Sequence, residues 1–179
     1  MSTGFQASAR VCATTHEAVL SAVVVKLRSE IAELSSESTC FLSDSPSPGV
    51  ETHENLFCTV SPASATFEDR PPVGAAGQGI VEVALIQVTL WSRMLLDRLD
   101  HSARALTDNS RGLLKYKHHI LQSLAGSQLY LDPPGNTVPL LIDCLQPTQA
   151  LHPHSSKTTD DFRSFTLVFK APFYWDLVT

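Results

Sequence analysis

No apolar run in this sequence approaches the roughly 18 to 20 residues that span a bilayer. Its opening, Met1 to Arg10, lacks the basic start and long apolar stretch of a secretory signal. Both absences predict a chain that is soluble and intracellular at synthesis, with no membrane partner. Cysteine is scarce too: four residues, Cys12, Cys40, Cys58 and Cys144, with no CxxC pair. That spacing supports neither a zinc site nor a disulfide framework, and predicts reduced thiols. Positive charge is in deficit, 13 Lys and Arg against 18 Asp and Glu, for a net charge of −5 with 7 His uncounted. Binding of nucleic acid through the overall field is therefore disfavoured, and only a local basic patch would serve. Catalytic signatures are missing as well, with no GxSxG, HExxH, GxGxxG or P-loop. Gly74-Ala-Ala-Gly77-Gln-Gly79 is not followed by Lys-Ser or Lys-Thr, so its glycines read as turn residues. Neither an enzyme nor a cofactor is expected.

What is present is enough for one core. The chain has 179 residues, 43% apolar, and a fold of this size removes about 70% of its unfolded surface from water without staples. The expectation is a single domain over residues 1–179, with long loops at about 35–54, 68–79 and 146–161. A helix from Thr15 to Leu34 follows from Leu20, Val23, Val24, Leu27, Ile31 and Leu34 at the three-and-four spacing of one buried stripe. Thr14 and Glu17 offer a capping box at its start. The β-branched run Val23 to Val25 lowers helix propensity, so packing of that stripe must compensate.

Leu56 to Val60 gives a short strand. Ile80 to Trp91 gives the strongest central one: Val81, Val83 and Leu85 share one face, and the apolar phase then moves to Ile86, Val88 and Leu90. Either a β-bulge or a strand buried on both faces explains the shift. Arg93 to Arg111 is a polar crossing. A second helix, Ser110 to Ala125, follows from Leu113, Tyr116, Ile120, Leu121 and Leu124, with Gly126 where a left-handed residue belongs. Strands are then expected at Gln128–Leu131, Pro139–Leu145 and Phe162–Val178. In the last, Phe165, Leu167, Phe169, Ala171, Phe173, Trp175 and Leu177 take every second position. Pro172 lacks a ladder donor and requires a local edge or bulge there. The fold class is α+β: a mostly antiparallel sheet of four or five strands with two helices packed on one face.

Candidate sites are few. His118-His119 on the second helix and His152-Pro-His154 in a loop suggest a metal module, but neighbouring helical residues point about 100° apart and a third ligand is missing. No metal is assigned. Cys58 and Cys144 fall in expected strands and read as small core side chains. One charge asymmetry stands out. Between Pro71 and Ile120, six basic residues, Arg93, Arg98, Arg104, Arg111, Lys115 and Lys117, outnumber four acidic ones, Glu82, Asp97, Asp100 and Asp108. The rest of the chain holds the remaining 7 basic and 14 acidic residues. A positive middle between acidic ends suits head-to-tail contact between copies or an acidic partner. The alternative is a solvated face with local ion pairs such as Asp97 with Arg98 or Asp100 with Arg104.

The order helix, loop, strand, loop, long strand, polar crossing, helix and three strands, over roughly Thr15 to Val178, resembles the tail-terminator or tail-completion proteins of long-tailed bacteriophages. Four features carry the resemblance: that order; Ile80 to Trp91 followed by Arg93 and Arg98; the helix Gly112 to Gly126; and the closing Phe169-Lys-Ala-Pro-Phe-Tyr-Trp-Asp-Leu177 run. It implies a non-enzymatic virion protein, assembled in the host cytoplasm. Such a protein forms a homo-oligomeric ring, a hexamer in the family, on the last ring of tail-tube protein, halts polymerisation and presents a surface to the head connector or neck protein. DNA passes through the lumen without sequence-specific recognition. The first loop and the Arg93 to Ser110 segment are longer than the usual compact pattern.

In that setting Arg93, Arg98, Arg104 and Arg111 are subunit-interface candidates. A basic lumen would hold passing phosphates, so an interface suits these arginines better. The resemblance also admits a head-side neck connector or stopper. From other classes come a small metal-binding enzyme or module and a host interaction module without a virion role.

Overall fold

The structure, a computed structural model, describes residues 15–44, 54, 56–68, 81–93, 113–130, 139–151 and 162–174. Helix α1 spans His16–Glu30 and is followed by a 3-10 turn, Ala32–Leu34. Strands β1 (Cys40–Leu42), β2 (Leu56–Glu68) and β3 (Val81–Arg93) come next. Helix α2 (Leu113–Leu124), β4 (Gln146–Leu151) and β5 (Phe162–Tyr174) complete the order. The five strands form one sheet in the order β1-β2-β3-β5-β4, parallel between β1 and β2 and antiparallel elsewhere.

Both helices lie on one face of the sheet, against each other and against its strands. The expected stripe of α1 is the buried one: Leu20, Val23, Val24, Leu27, Ile31 and Leu34 all enter the core, joined by Val19. The packing that the valine run requires is thus present, with Val25 alone of the three left outward. On the sheet, every second residue meets the helices: Ala84, Ile86, Val88 and Leu90 from β3, and Phe165, Leu167, Phe169, Ala171 and Phe173 from β5. Tyr116, Ile120 and Leu124 close the core from α2. Gly126, at φ +72°, ends α2 in the left-handed conformation that glycine adopts without a Cβ penalty. Its N–H donates to the Leu145 carbonyl, 2.8 Å.

The phase shift in β3 has the second of its two explanations. Pairing of β3 with β5 runs without interruption from Val81↔Tyr174 to Arg93↔Phe162, so β3 carries no bulge against it. Instead β3 is buried on both faces, Val81 and Val83 on one and Ala84 and Ile86 on the other. The bulges sit at Pro62/Ser64 in β2 and Pro147/Gln149 in β4. Pro172 lies past the last β4 partner of β5, Lys170, and its carbonyl accepts from the Ile142 N–H at 2.9 Å. Because a strand residue's N and O point to the same side, the missing Pro172 donor faces away from β3 and costs that ladder nothing.

Several boundaries differ from the sequence expectation. The cap of α1 falls on Thr15, whose Oγ1 accepts from the Ala18 N–H at 3.2 Å; of two adjacent threonines, this one takes the extended backbone a cap needs. Residues read as loop hold two strands, β1 within 35–54 and β4 within 146–161. All six residues of β4 are exposed, so no face leaves an apolar alternation to read. Conversely, Gln128–Leu131 and Pro139–Leu145 make only an isolated bridge, Tyr130↔Pro139, although Leu129, Leu140, Leu141 and Leu145 are buried. Cys144 therefore sits in a connection rather than a strand. The start of the expected second helix, Ser110 to Gly112, residues 69–79 of the second loop, Trp175 and Leu177 lie outside the described residues.

Thr15→Ala is expected to lower stability by about 1 kcal/mol, the usual worth of a side-chain cap. Urea unfolding checks this, and an unchanged midpoint would show that the cap contributes nothing.

Candidate functional site

The structure gives only part of the arginine set a place. Arg93 ends β3, in register with Phe162 of β5. Arg98, Arg104 and Arg111 lie outside the described residues, so their grouping rests on the sequence. Of the histidines, His118 is exposed on α2, and His119 is half-buried with its ring edge-on to Tyr116 at 6.2 Å. His152 and His154 lie outside the described residues. Among the described residues no three His, Cys, Asp or Glu side chains converge as metal ligands. Cys58 is fully buried beside its register partner Cys40 in β1. The Cys40 thiol and complete burial together push the Cys58 thiol well above its ordinary range, which suits a core residue rather than a nucleophile.

Two constellations emerge that the sequence reading passed over. The first is an aromatic row on the sheet face away from the helices, near the end of β3 that carries Arg93. Phe41 of β1, Phe57 of β2 and Trp91 of β3 stack in sequence, with centroids 6.0 and 6.1 Å apart and interplanar angles of 11° and 12°. The Trp91 indole N–H donates to Thr59 Oγ1 at 3.3 Å, and Thr89 and Thr166 share a hydrogen bond of 2.9 Å across β3 and β5. This face is partly polar yet buried: Thr59, Ser61 and Thr89 are almost wholly inaccessible.

The second is a carboxyl–imidazole pair inside the helix-facing side. Glu82 is in phase with Ala84, Ile86, Val88 and Leu90 and is only 2% exposed. Its Oε1 lies 3.1 Å from Nδ1 of His16, the first residue of α1, whose ring leans on Phe173 at 6.1 Å. Burial pushes the Glu82 carboxyl above its ordinary range, and His16 opposes that shift. An acidic residue in phase with a buried apolar stripe was the signal for this pair. Elsewhere, a cleft of about 300 Å³ between the end of α1 and α2 is lined by Glu30, Ile31, His119, Gln122 and Ser123. Burial raises the Glu30 carboxyl, but Lys26 at 2.5 Å and the Ser123 hydroxyl outweigh it and hold the group below its ordinary range.

No model of a known protein family and no curated protein matches the chain. Among solved structures, a chain from the "virion of native gene transfer agent (GTA) particle" is a match. It aligns over 88% of this chain and 96% of its own, with 20% identical residues and a TM-score of 0.46. No helix among the described residues is long and apolar enough to cross a membrane.

Proposed function

We propose that this protein is a structural component of a phage-type virion, a tail-terminator-like subunit without enzymatic activity. Copies assemble head to tail into a ring at the head-proximal end of the tail, stop tail-tube polymerisation there and offer a surface to the head connector. One observation supports this reading above others: helix α1, the long strands β2 and β3, helix α2 and the aromatic-rich β5 follow one another in the expected order, although β1 and β4 lie in segments read as loops and the strands expected at 128–131 and 139–145 are replaced by an isolated bridge. A ring needs heterologous contacts that close, and further partners need loops at its two ends. Arg93, Arg98, Arg104 and Arg111 are assigned to the contact between neighbouring subunits, where a desolvated guanidinium fork pairs with a carboxylate.

Inactivation of the gene in its phage or prophage, followed by electron microscopy of the lysate, tests the role. Tails of unregulated length beside unattached heads are the expected result. Tails of normal length beside free heads would move the protein to the neck, as a connector or stopper, and intact infectious particles would end the virion reading. At the residue level, Arg98→Glu with Arg104→Glu is expected to shift the purified protein from ring to monomer in size-exclusion chromatography with light scattering. A ring of unchanged mass would remove the arginines from the interface.

A further inference from the structure

The His16–Glu82 pair is the one place among the described residues where a buried carboxylate joins a helix terminus to the sheet, and neither group completes its hydrogen bonds. Glu82 Oε2 and His16 Nε2 are both inaccessible and without a partner, while Oε1 and Nδ1 lie 3.1 Å apart. We propose that this pair is a proton-operated clasp: while it holds one proton it is neutral and keeps the first turn of α1 seated on β3, and loss of that proton loosens the turn. The inference does not depend on the ring reading.

The argument counts states. With one proton on the pair, either an imidazolium faces a carboxylate or an imidazole faces a carboxylic acid, and the buried site carries no net charge. With none, an isolated carboxylate remains in a site almost closed to water, the costliest arrangement available. Among the described residues the surroundings supply no replacement cation. From β2, Phe67 is the register partner of Glu82, and from β5, Phe173 is. The next β2 residue, Glu68, pairs with Lys170 at 3.9 Å on the other face of the sheet. Glu17, beside His16 on α1, is exposed and acidic.

The sign follows from burial. A carboxyl held above its ordinary range favours the folded state when protonated, so its contribution is greatest at low pH and falls as pH rises through the folded value. The test compares the full chain with Glu82→Gln, which keeps shape and hydrogen bonding but cannot ionise. Unfolding equilibria and amide exchange at Val19 and Leu20 are followed from pH 5 to pH 8.5, each pH being its own comparison.

The ratio of wild-type to variant unfolding constants is expected to rise several-fold across that range, the direction set by burial of the carboxylate. Val19 and Leu20 amides are expected to exchange faster in wild type than in the variant at pH 8.5 and alike at pH 5. A flat ratio, or a rising ratio with equal exchange at those amides, would overturn the clasp. Should Glu82→Gln not fold, His16→Gln serves, because His16 is partly exposed. It removes the imidazole that faces Glu82 and is expected to abolish the extra protection of Val19 and Leu20 at pH 5, and wild-type protection there would overturn the proposal.

Discussion

Phe169→Ala is expected to lower the unfolding free energy by about 3–5 kcal/mol. Phe169 is only 1% exposed and stands in the middle of β5, in register with Ile86 of β3 and Pro147 of β4. It belongs to the one cluster that ties the sheet to both helices, so truncation removes contacts from several elements at once. The cost combines lost transfer free energy with a cavity whose walls, being strand backbones held by ladders on both sides, collapse poorly. Leu42→Ala, at the 41% exposed end of β1, supplies the contrast and is expected to cost under about 1 kcal/mol. Guanidinium unfolding of both variants checks the pair, and similar losses at the two sites would show that the core is not centred on β5.

The reasons some of this fold is legible in sequence, and some not, are physical. The stripes of α1 and α2 and the alternation of β5 are written where one face of an element is buried and the other is wet. Both helices, the central strand and the placement of the helices on one face follow from them. β4 escapes because it is exposed throughout, so Gln146, Thr148 and Gln149 look like loop; only backbone pairing with β5 makes them strand. β1 escapes because three residues are too few to show a period. Leu129 and Leu140 to Leu145 mislead in the opposite sense, since burial of an irregular connection produces the same apolar run as a strand.

The candidate sites follow the same division. A buried acid in phase with an apolar stripe is visible in the sequence, but its partner His16 lies 66 positions away by numbering and only the packing of α1 on β3 joins them. Stacking of Phe41, Phe57 and Trp91 likewise needs the sheet order. Of the arginine set only Arg93 lies among the described residues. Contacts between copies leave no periodicity within one chain, so only the density of Arg93, Arg98, Arg104 and Arg111 along an acidic sequence marks them.

Arg28→Ala is the second large effect, expected at about 1.5–3 kcal/mol, the usual worth of hydrogen bonds from a charged group. Arg28 closes the last turn of α1, and its Nε and Nη2 both donate to the Cys40 carbonyl, at 2.9 and 2.6 Å. That carbonyl needs a donor for a topological reason. β1 is the outer strand of the sheet, joined to β2 by the Cys58 N–H to the Thr39 carbonyl at 2.7 Å and the Ser43 N–H to the Val60 carbonyl at 2.9 Å. Backbone groups alternate along a strand, so the Cys40 carbonyl points away from β2, where an open edge would otherwise present it to any passing chain. The guanidinium fork covers it and fixes α1 to the sheet's only parallel pair in the same contact. Lysine, a single ammonium, cannot reproduce two donors from one plane, so Arg28→Lys is expected to recover less than half of the loss. Hydrogen exchange gives the discriminating readout: the Cys58 and Ser43 amides are expected to lose protection in Arg28→Ala while amides between β3 and β5 keep theirs. Uniform loss across the sheet would mean that Arg28 supports the whole fold rather than its parallel edge, and no loss at Cys58 would mean that β1 holds without it.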